Sequence, residues 1–302
     1  MNRQPFNISA EVEGALREGR PVVALESTVI AHGLPRPQNL ETARSLERAV
    51  REGGATPATI AVLQGKLQIG LSFDQLQCIG EADDVHKISR RDLALAVAHQ
   101  WNGATTVAST IWIARRAGIR VFATGGIGGV HRGPLPDVSA DLPELARTPL
   151  AVVCSGAKIV LDLAATREWL ETHGITVIGY GCDEIPAFYS RQSGLAVDAR
   201  ADTPEGVARI YAAQQELGLE SALLVTVPVP ASAEVPAAML QDVLDRSLDE
   251  ATRKGIGGRD LTPFLLARMA EQSGGATLRA NIALLENNAR VAAEIACSIH
   301  PK

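Results

Sequence analysis

Aromatic residues are scarce in this 302-residue chain: three Trp, three Tyr and five Phe, 4% of the total. Alanine, valine and leucine must therefore do most of the packing. The four cysteines, Cys78, Cys154, Cys182 and Cys297, stand far apart with no CxxC pair. Such spacing argues against a zinc site and a disulfide framework, and fits a reducing cytoplasm. No apolar run approaches the roughly 20 residues that a membrane span needs. The opening MNRQPFNISAEVEG has no apolar signal-peptide core. A basic block is also missing. With 29 Lys and Arg against 34 Asp and Glu the net charge is −5. A duplex-binding face needs clustered cations, so nucleic-acid polymers are poor partners. The expectation is a cytoplasmic protein with no membrane partner, whose ligand is small; a local pocket can still attract an anion.

What is present is ordinary for a chain with a large core: 46% hydrophobic and 21% charged residues. Strand and helix patterns alternate. Apolar runs at 22–25, 59–63, 67–69, 121–123, 150–153, 176–178 and 223–225 read as strands. Helical spacing marks 9–18, Gln38 to Glu52, a start near Ser89 with Asp92 in the capping-box position, 106–116, 158–173, 205–217, 236–253, 263–272 and 278–297. The alternation predicts a three-layer αβα fold around a central, mainly parallel or mixed sheet. No linker, repeat or low-complexity stretch interrupts it, so residues 1–302 read as one domain.

Sites in such sheets lie at the carboxyl ends of strands. Three unusual stretches sit there: ESTVIAHG, TGGIGGVHRG and SGAK. The second has five glycines, which let backbone N–H groups close on an anion. It is not a P-loop, because Pro134 rather than Lys follows Gly133; nor is it a dinucleotide fingerprint, because His131 stands where the third glycine belongs. A phosphate or sugar-phosphate cradle of another kind fits better, with His131 and Arg132 as charge partners. Glu26, after an apolar strand, is either a helix cap or surface ion-pair partner, or a general acid/base whose pKa an apolar surround raises. Lys158 is expected at a helix start, where the dipole and partial burial would lower its pKa and favour a nucleophilic amine. Asp137 and Asp141 read first as capping acids, alternatively as oxygen ligands for a hard divalent cation. Lys87 cannot be separated from Arg90 and Arg91 as ligand or solvated face. Asn281, Asn287 and Asn288 lie mid-helix, where asparagine is mildly unfavourable, which hints at a hydrogen-bonding role.

Taken together, VALESTVIAHGLPRPQN (23–39), ATPATIAVLQGKLQIGLS (55–72), KISRRDL (87–93), NGATTVAST (102–110), FATGGIGGVHRG (122–133), DVSADL (137–142), SGAK (155–158), TPFLLARMAE (262–271) and ANIALLENNA (280–289) resemble the pseudouridine-5′-phosphate glycosidases, the indigoidine synthase A-like family. The likeness runs from about residue 10 to 297, with a short GPLP segment before Asp137. It implies that Glu26 is the proton donor, Lys158 the nucleophile and Asp137 the ligand of a manganese ion. It further implies that Lys87, Val107 (through its backbone), Ser139, Ala140 and Asp141 line the substrate site. Thr124 and His131 are added for phosphate and Asn281 for the base. The family resemblance also implies a homotrimer and a reversible reaction, in which pseudouridine 5′-phosphate gives uracil and ribose 5-phosphate. Two other readings share these residues: a Schiff-base aldolase on another sugar phosphate, and a non-catalytic sugar-phosphate sensor.

Overall fold

The structure, a computed structural model, describes residues 6–133, 137–258 and 261–300. In chain order the elements are β1 (Phe6–Ile8), α1 (Ala10–Arg17), β2 (Val22–Leu25), α2 (Gln38–Glu52), β3 (Thr56–Leu63), β4 (Lys66–Ile69), α3 (Phe73–Glu81), β5 (His86–Ile88), α4 (Leu93–Ala98), β6 (Gly103–Thr105), α5 (Val107–Arg116), β7 (Val121–Ala123), β8 (Val130–His131), α6 (Asp141–Leu145), β9 (Ala151–Cys154), β10 (Leu161–Asp162), α7 (Leu163–Thr172), β11 (Thr176–Tyr180), β12 (Ala199–Ala201), α8 (Pro204–Glu216), β13 (Leu223–Thr226), α9 (Ala237–Arg253), α10 (Leu261–Gln272) and α11 (Ala276–Ile299). A π-helical turn, Val29–Gly33, follows β2.

Among the described residues, eleven strands form one mixed sheet with the path β1-β4-β3-β2-β7-β9-β13-β11-β12, and β6 and β5 branch from β3. From β3 through β2, β7, β9, β13 and β11 to β12 every pairing is parallel. Strands β2, β7, β9 and β13 are buried along their whole length, as a sheet covered on both faces requires. The long α11 packs with α2 and α8 on one face and crosses β2, β7 and β9; α5 lies on β2 and β3 from the other side. The three-layer expectation is met. Among the described residues no helix is long and apolar enough to cross a membrane.

The sheet has one irregularity, at the end of β2. Strand β3 pairs with β2 through Thr59, and beyond it with β6, at Ala61 and Val62. Strand β2 has ended at Leu25 and turned away. The Ser27 hydroxyl closes the seam, donating to the Ile60 carbonyl at 2.7 Å and accepting from Thr105 N at 2.9 Å. The chain can therefore leave the sheet at Glu26 without orphaning a buried carbonyl.

A second brace holds α6 against the turn before α4. The fully buried Glu144 carboxylate accepts from Arg90 Nη1 at 2.6 Å, Thr148 Oγ1 at 2.7 Å and Arg147 Nη2 at 3.0 Å. Arg90 is thus committed to structure. Both arginines keep some access to water, so neutralising their partner strands no deeply buried charge. Glu144→Gln should therefore lose about 1–3 kcal/mol of stability, the range for a buried group left badly paired. Urea unfolding checks this, and an unchanged midpoint would show the brace to be dispensable.

Candidate active site

Strands β2, β7 and β9 are adjacent and parallel, so the segments that follow them leave the same edge of the sheet. Those segments are ESTVIAHG, TGGIGGVHRG and SGAK. After β7 and β9 the two chains do not part. Ser155 N donates to Gly125 O (2.9 Å), Ile127 N to Gly156 O (3.0 Å) and Lys158 N to Ile127 O (3.1 Å). Gly126 makes the approach possible, since a Cβ there would sit 2.9 Å from the Gly156 carbonyl oxygen. Gly156 itself has φ +81° and would bring a Cβ to 2.3 Å from the Pro186 carbonyl oxygen. The glycine loop and the SGAK loop are thus zipped together by their backbones.

Above them opens a cavity of about 400 Å³, lined by all eleven residues named with the family resemblance. Glu26 is buried, at 7% exposure. The Thr124 hydroxyl donates a hydrogen bond to its carboxylate. Burial raises the Glu26 pKa above the ordinary 4.5, opposed first by the positive charge of Lys158, then by the Thr124 hydrogen bond; Asp141 adds to the rise and Lys87 opposes it. Two cations and two carboxylates thus face one another across the cavity. The sequence suggests Thr124 for the phosphate. Its hydroxyl serves Glu26 here, because β7 brings it beside the end of β2.

Lys158 is half-buried and lines the cavity, yet it does not begin a helix. Helix α7 starts at Leu163 behind the Asp162 cap, which accepts from Ala165 N at 2.9 Å. Residues 155–160 are held out of helical geometry by their bonds to the glycine loop, and Leu161 and Asp162 pair antiparallel with β8. No helix N-terminus therefore acts on Lys158; what the structure supplies is proximity to Glu26.

Asp141 opens α6 but caps another helix. Its Oδ1 accepts from Ala108 N, in the first turn of α5, at 2.9 Å, and its Oδ2 accepts from Gly128 N at 2.8 Å. A Cβ on Gly128 would lie 2.1 Å from Ser139 Oγ and 2.8 Å from Asp141 Oδ2. Glycine there lets the loop close onto DVSAD. Val107, first residue of α5, is fixed by the same clamp. Asp137, Ser139 and Ala140 stand at the rim, with Asp137 and Ala140 exposed. Residues 134–136 of the GPLP segment lie outside the described residues.

Of the basic candidates, Lys87 in β5, His131 in β8 and Arg91 line the cavity, while Arg132 does not; its Nε donates to Leu161 O at 3.2 Å. Asn281 lines the cavity and is buried; Asn288, two turns further along α11, lies behind it. The sequence reading missed the wall formed by Phe188, Leu285 and the α10 residues Thr262, Pro263 and Leu266. The α10 residues and Leu285 fall within stretches that carry the family resemblance but have no role assigned there. Phe188 carries no signal at all: its φ is +62° and its ring packs against Gly126.

Because Glu26 takes up a proton more readily folded than unfolded, stability falls as pH rises above about 4.5, until its folded pKa is passed. Glu26→Gln removes that loss. Its thermal midpoint should exceed that of the parent at neutral pH, with the advantage vanishing in acid; a variant less stable at every pH would contradict the account.

The match to known proteins is extensive. The model of the indigoidine synthase A-like proteins covers residues 11–298. A pseudouridine-5′-phosphate glycosidase of Solibacter usitatus is 55% identical over 293 residues, 96% of this chain and 98% of that protein. Among solved structures, the prealnumycin C-glycosynthase in complex with ribulose 5-phosphate is 40% identical, with a TM-score of 0.89 over 97% of this chain and 96% of that one. An indigoidine synthase A-like protein of Thermotoga maritima is 38% identical, with a TM-score of 0.91 over 100% and 99%. Matched in sequence and in fold along nearly its whole length, the chain belongs to the indigoidine synthase A-like family.

Proposed function

We propose that the protein reversibly cleaves the C–C glycosidic bond of pseudouridine 5′-phosphate, giving uracil and ribose 5-phosphate. The observation that carries this reading is a buried acid with a raised pKa, Glu26, set close enough to Lys158 to feel its charge, in a cavity walled by a glycine loop. The names of the relatives agree with it.

The bond to be broken joins C1′ of ribose to C5 of uracil. Carbon is a poor leaving group, so stabilising an oxocarbenium ion between two carboxylates does not suffice. An amine solves the problem. With acid assistance the ribose ring opens, C1′ becomes electrophilic through conjugation with the uracil ring, and the Lys158 amine adds there. Protonation of uracil C5 then lets the C–C bond break while the lysine nitrogen forms an iminium with C1′. Water hydrolyses the iminium, releasing ribose 5-phosphate and the free amine. Glu26 moves the protons, and its raised pKa keeps it a proton donor at higher pH than an ordinary carboxylate. The phosphate, against the glycine loop, Lys87 and His131, supplies binding energy remote from the reacting bond.

A manganese ion belongs to this reading. Asp137 offers one exposed carboxylate at the rim, and no group of three or more His, Cys, Asp or Glu poised for a metal occurs among the described residues. A single carboxylate suits a hard cation that keeps most of its waters, which would order water and phosphate oxygens beside the loop. Assembly as a homotrimer is proposed on the family resemblance, and a cytoplasmic location on the separated cysteines.

Two experiments bear on the reading. Borohydride added to enzyme with ribose 5-phosphate should reduce the iminium and leave one sugar-phosphate unit on the peptide holding Lys158. Lys158→Ala and Lys158→Arg should neither trap nor turn over, since a guanidinium stays protonated. Trapping at another lysine would remove the covalent mechanism and favour an aldolase. For the metal, EDTA should abolish turnover, Mn²⁺ should restore it, and Asp137→Ala should stay inactive with metal present; full activity without metal would exclude the ion.

A further inference from the structure

Asn288 has no place in the chemistry above. It is fully buried on α11 and does not line the cavity. Its Nδ2 donates to the Thr124 carbonyl at 2.9 Å and approaches the Gly125 carbonyl at 3.4 Å. Ser155 Oγ lies 3.1 Å from the same Nδ2 and 3.3 Å from Oδ1. All these partners are buried. Thr124 and Gly125 begin the glycine loop, and Ser155 begins the SGAK loop. One side chain, from a helix on the face of the sheet, therefore holds the roots of both.

What those roots carry makes the contact more than a packing detail. Thr124 uses its hydroxyl on Glu26 while its carbonyl is held by Asn288. Ser155 is three residues from Lys158, and that stretch is tied at both ends to the glycine loop. Asparagine suits this position because its amide donates to carbonyls on one side, while its carbonyl and amide together meet a hydroxyl on the other. A carboxylate in its place would face the Thr124 and Gly125 oxygens.

We infer that Asn288 is a positioning residue that fixes the distance between Glu26 and Lys158 by locking Thr124 and Ser155 to α11. The inference rests on the reading of Glu26 as the acid and Lys158 as the amine. Asn288 does not line the cavity, so its loss should act on the chemical step and spare binding.

The test is Asn288→Ala, assayed for uracil release from pseudouridine 5′-phosphate. The kcat should fall about 10- to 100-fold, the equivalent of a buried carbonyl left without its donor, with KM changed by less than about twofold. The alkaline limb of the kcat–pH profile should move to higher pH, because a loosened Thr124 hydroxyl no longer lowers the Glu26 pKa. Of the other charged groups that face Glu26, Lys87 and Asp141 keep their places, while any retreat of Lys158 raises the Glu26 pKa in the same direction. A folded Asn288→Ala protein with parental kcat and an unmoved limb would overturn the inference. Should that variant not fold, Ser155→Ala severs only the Lys158 side. It should slow borohydride trapping at Lys158, and trapping at the parental rate would refute the idea. Failure of the parent protein itself to release uracil or to trap would instead sink the functional reading, so the two failures are told apart.

Discussion

Keeping the Glu26 carboxyl buried at the end of β2 is the constraint on which the rest of the site depends. A carboxyl out of water resists ionisation, and the protein tempers this with the Thr124 hydroxyl and the charges of Lys158 and Lys87. Each of these arrives on a different element: Thr124 from β7, Lys158 from the loop after β9, Lys87 from β5. Only a sheet with β2, β7 and β9 side by side and parallel delivers the first two to one point. The branch of β5 and β6 off β3 brings the third. A group that costs stability is retained where it has chemistry to do.

The loops are rigid for identifiable reasons. Glycines in TGGIGG do not serve flexibility here. They let backbone approach backbone, so that Gly125 and Ile127 bond to the SGAK segment and Gly128 to the Asp141 carboxylate. Asp141, expected as a contact to substrate, spends both carboxylate oxygens on backbone amides. It still shapes the cavity, by bolting the loop to the start of α5. From the opposite face Asn288 holds the same loop by its carbonyls.

Much of this is legible in the chain. The run Val22–Leu25 and the helix Gln38–Glu52 match their elements end to end, because burial on both faces and a clean helical stripe leave little choice. The positions of Glu26, Lys158 and the glycine loop after strands follow from the same alternation. Short elements are not legible: β5 and β6 have three residues each, too few for a period to show, and α3 begins with an exposed Phe73. A helix beginning at Lys158 fails because local propensity cannot register the backbone bonds to Ile127 and Gly125, which arrive from a distant part of the chain. The bond from Thr124 to Glu26 is hidden for a similar reason: its loop suggests an anion, and only the sheet order reveals the neighbouring acid. Asn288 stands out in the sequence as an oddity within a helix, and its partners explain the oddity.

The central claim is that a carbon–carbon glycoside bearing a 5′-phosphate is cut in the cavity above Glu26 and Lys158. The most direct measurement is the rate of free uracil release from pseudouridine 5′-phosphate compared with pseudouridine, followed by chromatography with Mn²⁺ present. Charge-assisted contacts from the loop, Lys87 and His131 are worth about 1.5–3 kcal/mol each, so kcat/KM should be at least about 100-fold lower without the phosphate. Release of uracil from neither compound, or from both with equal efficiency, would contradict the account.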